Sequence, residues 1–155
     1  MKNTNNHNHL TDQQKIVLEF IDNFSTFFHN WDYEKYKEFR KLFTMGFCWH
    51  FAKMLQTTFN RGTVCITFPI GHFIWLDTDG SAYDIDGFDI TEHYYYVPEE
   101  YLGRELDAFK HIPNLYAPDA TNEDLLKIAK KYCKDNNIEI DPKLVDELST
   151  NEYLH

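Results

Sequence analysis

Three residue types that can together make a nucleophilic site follow one another through the middle of this chain. Cys48 stands two residues after Gly46 in "MGFCWHFAKMLQTTF", residues 45 to 59, and opens a run with helical spacing. A helix N-terminus carries partial positive charge and favours the thiolate. The thiolate is the form that attacks a carbonyl, given a base within hydrogen-bond reach and a third group to orient that base. A plainer reading stands beside this one. Cys48 lies three and four residues before Phe51 and Ala52, so it shares the apolar stripe that continues through Leu55 and Phe59. Burial as a small core thiol is a common fate for such a cysteine.

Of the eight histidines, seven sit poorly for a base. His7 and His9 are in a polar tail, His29 ends a helical run, and His50 faces away from Cys48. His93 and His111 fall in loop-like segments, and His155 is the last residue. His72 differs. It follows Gly71 at the head of "GHFIWLD" and alternates with Ile74 and Leu76, which predicts an inward side chain facing the Cys48 helix. The turn that follows decides which carboxylates can join it. A three-residue loop, Thr78-Asp79-Gly80, has glycine at the position that needs a left-handed backbone. That register sets Ile74 opposite Asp84 and His72 opposite Asp86. The helix-facing side is then His72, Ile74, Leu76, Ala82, Asp84 and Asp86, and both aspartates reach the histidine. A two-residue loop would exchange the faces.

Other readings of the same residues are weaker. "DTDGSAYDIDGFD" also suits a solvated acidic hairpin. It does not suit a calcium loop, because no glutamate stands at the twelfth position after Asp77. His50, His72 and nearby carboxylates lack a metal-ligand spacing, so neither a metal nor a cofactor is expected. Cys65 lies inside a strand, and Cys133 on the stripe of Leu125, Leu126, Ile128, Ala129 and Tyr132; both read as structural.

The positioning elements follow from periodicity. Thr11 or Asp12 caps a first helix with Ile16, Val17, Phe20, Phe24, Phe27 and Phe28 on one face. "WDYEKYKEFRKLF" predicts a second, with Tyr33, Tyr36, Phe39, Arg40 and Phe43 recurring. The Cys48 helix is the third and ends near Asn60-Arg61-Gly62. The period then falls to two. "TVCITFP", "GHFIWLD" and "SAYDID" predict a small antiparallel sheet over residues 63 to 86. "YYYVPEEYLG" reads as irregular, with a short turn of helix after Pro98. "TNEDLLKIAKKYCKD" and "DPKLVDELS" close the chain as helices, with Pro142 suited to a first helical position. The fold class is therefore α+β: a small antiparallel sheet of about three or more strands on a central helix that starts at the cysteine, with further N- and C-terminal helices. Residues 1–10 are expected to be a disordered tail and 11–155 a single domain.

Bulk properties limit the partners. With 155 residues, 43% hydrophobic and 17% aromatic, the chain can bury a core. A formal net charge of −10 disfavours nucleic acid and anionic membrane surfaces. No stretch is long and apolar enough to span a membrane, and the N-terminus has no secretory h-region. Three cysteines are too few for a disulfide framework, so the expected compartment is the cytoplasm. Richness in Asn, Lys, Tyr and Phe suggests a bacterial or phage source.

"GFCWHFA" followed by "GHFIWLDTDGSAYDIDG" resembles the papain-like cysteine peptidases of the NlpC type and their transglutaminase-like relatives, over roughly residues 44 to 88. In those proteins a cysteine opens a helix packed on an antiparallel sheet. A histidine begins one strand and a polar residue stands on the next. The resemblance implies Cys48 as nucleophile, His72 as base and Asp84 as the orienting group, with Asp86 the alternative third member. The backbone N–H of Cys48 would supply one oxyanion donor, the second being unassigned. It implies a thiol-dependent hydrolase or acyltransferase of peptidase, isopeptidase or deamidase type, acting through a thioester on a protein or peptide. The competing expectation is a non-catalytic acidic interaction or inhibitor protein on the same scaffold, with "HYYYVPEEYLG" as a contact surface or, more simply, a loop packed over the sheet.

Overall fold

The computed structural model describes residues 9–31, 34, 35, 37, 48–89, 94–103 and 122–150. Helix α1 (Asp12–Trp31) begins at a reciprocal cap. The N–H of Gln14 donates to Thr11 Oγ1 at 3.1 Å, and the N–H of Thr11 donates to Gln14 Oε1 at 2.9 Å. Two orphan donors of the first turn are satisfied together. Val17 and Ile21 turn into the core, whereas Ile16 and Phe27 stay open to solvent at 57% and 65%. The buried face is thus narrower than the broad apolar face read from the sequence.

Helix α2 (Cys48–Phe59) buries Cys48, Phe51, Ala52 and Leu55, the predicted stripe. It stops at Asn60 (φ 50°), and Gly62 (φ 79°) turns the chain into the sheet. Five antiparallel strands follow: β1 (Thr63–Phe68), β2 (Phe73–Leu76), β3 (Ala82–Asp84), β4 (Gly87–Phe88) and β5 (Tyr95–Pro98). Their order in the sheet is β4-β3-β2-β1-β5. A 3-10 turn, Glu99–Tyr101, comes after Pro98, and helices α3 (Asn122–Asp135) and α4 (Pro142–Thr150) complete the described chain. α3 buries Leu125, Ile128, Ala129 and Cys133 as its pattern predicts. This is the α+β fold expected, with more strands than the three that the sequence displayed. Segment "YYYVPEEYLG", read as irregular, supplies β5.

The β2–β3 hairpin takes the expected register. Trp75 pairs with Tyr83 and Leu76 with Ala82. The N–H of Asp77 donates to Ser81 O at 2.8 Å, which leaves Thr78-Asp79-Gly80 as the loop, with Gly80 at φ 87°. The faces, however, are exchanged. Val64, Ile66, Phe68, Phe73, Trp75 and Tyr83 pack with Cys48, Phe51, Ala52 and Leu55, while Ile74 and Ala82 join Cys65 on the far side. Ile74 and Trp75 are equally buried, so alternation of polarity could not choose between them. The large rings took the helix side, where Phe59, Trp75, Tyr83 and Phe88 form a run with successive centroids 5.5, 5.7 and 5.1 Å apart.

On the far face, Leu76 and Tyr96 pack on the small cluster of Cys65, Ile74 and Ala82. The Tyr96 hydroxyl donates to Asp89 Oδ2 at 3.2 Å, just past β4. The two outermost strands are thereby joined. Near the hairpin loop, Arg61 donates from Nε and an Nη to the two carboxylate oxygens of Asp77, at 2.7 and 3.0 Å. Its guanidinium lies over the rings of Phe59 and Trp75.

Of the second predicted helix, Trp31 is the last residue of α1, and Glu34, Lys35 and Lys37, also helical, are the others described. The other residues expected there, with residues 1–8, Gly46, His93, His111 and His155, lie outside the described residues. No helix among the described residues is long and apolar enough to cross a membrane.

Candidate active site

Cys48 is the first residue of α2, His72 immediately precedes β2, and Asp84 is the last residue of β3. The three therefore meet at element ends, not on the face of the sheet. His72 continues the β1–β2 register one residue beyond β2, its C=O accepting the Thr67 N–H at 2.8 Å.

His72 is hydrogen-bonded to both other members. Its Nε2 lies 3.1 Å from Asp84 Oδ2, and its ring is also a hydrogen-bond partner of Cys48. With Nε2 engaged by the carboxylate, Nδ1 is the nitrogen left for Sγ. Burial alone would push the imidazole toward the neutral form. The hydrogen bonds to Asp84 and to Cys48, and the negative charge both can carry, outweigh it and raise His72 to about 10. The ring is then an imidazolium at neutral pH.

Asp84 is itself held. Its Oδ1 accepts the N–H of Asp86 at 2.8 Å, so one oxygen is fixed by the β3–β4 turn and the other faces the histidine. Asp86 contributes that backbone N–H, while its residue is exposed. Between the two aspartates read from the sequence, Asp84 is the one the structure brings to His72.

The head of α2 is anchored on the opposite side. Trp49 Nε1 donates to Glu99 Oε2 at 2.9 Å, and Lys53 is ion-paired with Glu99 Oε1. Trp49 and Lys53 are one turn apart, so a single carboxylate from the 3-10 turn grips the helix beside Cys48. This anchor was not legible in the sequence, because Glu99 lies 50 residues beyond Trp49.

The other two thiols have no such company. Burial, with smaller contributions from Glu99 and Glu100, pushes Cys65 up to about 12, and burial also raises Cys133. None of the three is in a disulfide. Asp77, the first aspartate of the rejected calcium loop, is committed on both oxygens to Arg61. No group of three or more potential metal ligands occurs among the described residues.

A family model described as "Phage YunG-like protein" matches residues 20–129, well over half of the chain and all three site residues. No curated protein and no solved structure matches the chain.

Proposed function

We propose a function for this chain, which belongs to the phage YunG-like family: it is a thiol-dependent hydrolase or acyltransferase working through Cys48, His72 and Asp84. The observation that carries this reading is one imidazole bonded to a helix-terminal thiol on one side and to an oriented carboxylate on the other. The resemblance to NlpC-type, papain-like peptidases supports the same roles.

In this reading Cys48 Sγ, as thiolate, attacks a carbonyl carbon of a protein or peptide substrate. The C–N bond breaks as the His72 imidazolium gives its proton to the leaving nitrogen, and a thioester remains on Cys48. Water then attacks the thioester while neutral His72 takes its proton, and the acid leaves with the thiolate restored. An amine in place of water gives acyl transfer. Asp84 holds the ring through Nε2 and stabilises its charged form. The net negative charge and the undisulfided cysteines fit a cytoplasmic protein or peptide substrate.

A second reading is a non-catalytic phage-encoded inhibitor that keeps the scaffold. The enclosure of Cys48, only 4% exposed, favours it. Alkylation separates the two. Cys48, Cys65 and Cys133 are almost equally enclosed, at 4%, 0% and 2%, so a preference among them reports chemistry more than access. Limiting iodoacetamide near neutral pH should label Cys48 at least about tenfold faster than the other two. The preference should collapse in His72→Ala. Labelling of Cys48 no faster than Cys65 would overturn the catalytic reading and leave the inhibitor.

A further inference from the structure

We propose that Thr67 is a positioning residue for His72, acting through its side-chain hydroxyl. The proposal rests on the triad reading above and adds a fourth residue to it.

Thr67 and Asp77 are the buried polar side chains of the described core. Asp77 is explained by Arg61. Thr67 is not explained by its strand, since its neighbours Val64, Cys65, Ile66 and Phe68 are apolar and equally enclosed. A hydroxyl in such a place is costly unless it is bonded. Its bond goes to one atom: the N–H of His72 donates to Thr67 Oγ1 at 3.1 Å.

The backbone alone would leave that N–H without an acceptor. Thr67 N–H donates to His72 O at 2.8 Å, which is half of a ladder pair. The other half is not made, because Thr67 O instead takes the N–H of Gly71 at 2.7 Å. The side chain therefore supplies the acceptor that the turn has withdrawn. His72 is fixed by Thr67 at both its N–H and its C=O, and by Asp84 at Nε2, so that Nδ1 has one direction left, toward Cys48. Without the hydroxyl, the backbone at His72 must either bury an unbonded N–H or turn to find a partner. The ring moves with it. Serine keeps the acceptor; valine keeps the shape and removes it.

The test compares Thr67→Val and Thr67→Ser with the parent protein by histidine-resolved NMR titration, thermal melting and Cys48 alkylation against pH. The charged and titratable groups that act on His72 are Asp84 from β3 and Cys48 from α2, and neither is altered. Thr67→Ser should titrate and alkylate with the parent. Thr67→Val should lower the His72 midpoint by about one unit, a tenfold loss of proton affinity, and slow Cys48 alkylation at neutral pH about tenfold. A folded Thr67→Val whose His72 midpoint and alkylation profile match the parent would overturn the proposal, even with a lowered melting temperature. So would loss of both signatures in Thr67→Ser. If Thr67→Val does not fold, Thr67→Ala is read by the same two signatures. The catalytic reading fails separately: if Cys48 is inert in the parent and Cys48→Ala leaves His72 unmoved, the triad is overturned, whereas the effect of Thr67 on the His72–Asp84 pair is still measured.

Discussion

His72 and Asp84 lie twelve residues apart in the chain, yet His72 Nε2 and Asp84 Oδ2 are 3.1 Å apart. The pair ties the start of β2 to the end of β3, and it makes the state of the imidazole depend on the carboxylate. Because the folded-state value of His72, about 10, exceeds the ordinary 6.5, its contribution to stability is full below the ordinary value. That contribution is lost as pH rises through about 10. Asp84→Asn should lower the midpoint and cost about 1.5–3 kcal/mol near neutral pH. In urea unfolding at several pH values, the gap between parent and variant should be widest near pH 6 and narrow above about 10. A parent midpoint near 6.5 would contradict the pairing.

Asp86 provides a control. Its backbone N–H orients Asp84, so Asp86→Ala, which keeps that N–H, should move the His72 midpoint far less than Asp84→Asn does. Asp86→Pro removes the donor and should lower the midpoint visibly. Equal effects of Asp86→Ala and Asp84→Asn in the same NMR titration would make Asp86 the partner of His72.

Asp77 is held below the usual carboxylate range. Burial opposes this, and hydrogen bonds from Arg61, Gln13 and the Thr78 N–H outweigh it. A depressed carboxylate stabilises the fold above its unfolded-state value and loses that stabilisation as pH falls. Asp77→Asn should cost about 3 kcal/mol at pH 7, the low end for breaking a buried pair, because Arg61 keeps 32% of its side chain in water. Denaturant unfolding repeated near pH 3 should show a smaller difference. An unchanged difference would mean that the cost is steric.

Gly62 has no room for a side chain. A Cβ there would meet the indole nitrogen of Trp75 and lie 2.6 Å from Leu76 O, at a backbone φ of 79°. That indole N–H donates to Arg61 O at 2.9 Å. Gly62→Ala should cost at least about 2 kcal/mol and perturb the near-ultraviolet dichroism of Trp75. Parent-like stability would mean that the turn can open without loss.

Much of the arrangement was legible in residue order and spacing. A cap at Thr11 or Asp12, the stripe of α2 and the three-residue hairpin loop follow from local pattern; the same pattern offers Cys48 and His72 but leaves Asp84 and Asp86 both open, and the family resemblance is what singles out Asp84. Which side of β2 met the helix did not follow, because Ile74 and Trp75 are both fully buried and polarity gives no direction. Strand β4 is two residues long, too short for a period to show. Strand β5 is written in tyrosines and ends on Pro98, so it reads as irregular until β1 is seen beside it. Thr67 looked like any alternating strand threonine; its hydroxyl gained meaning only once Gly71 was seen to occupy the neighbouring carbonyl. Trp49 and Glu99 belong together through tertiary contact alone.

The margins of the sheet carry a last consequence, for behaviour at high concentration. An exposed strand at the border of a sheet is a template on which another chain can add and start to aggregate. Here one border strand offers two residues, and the other is four residues long and closes on a proline, which has no N–H to give. The Tyr96–Asp89 bond draws these borders together. A chain rich in aromatic strands is thereby left with little open ladder on which fibrils could nucleate.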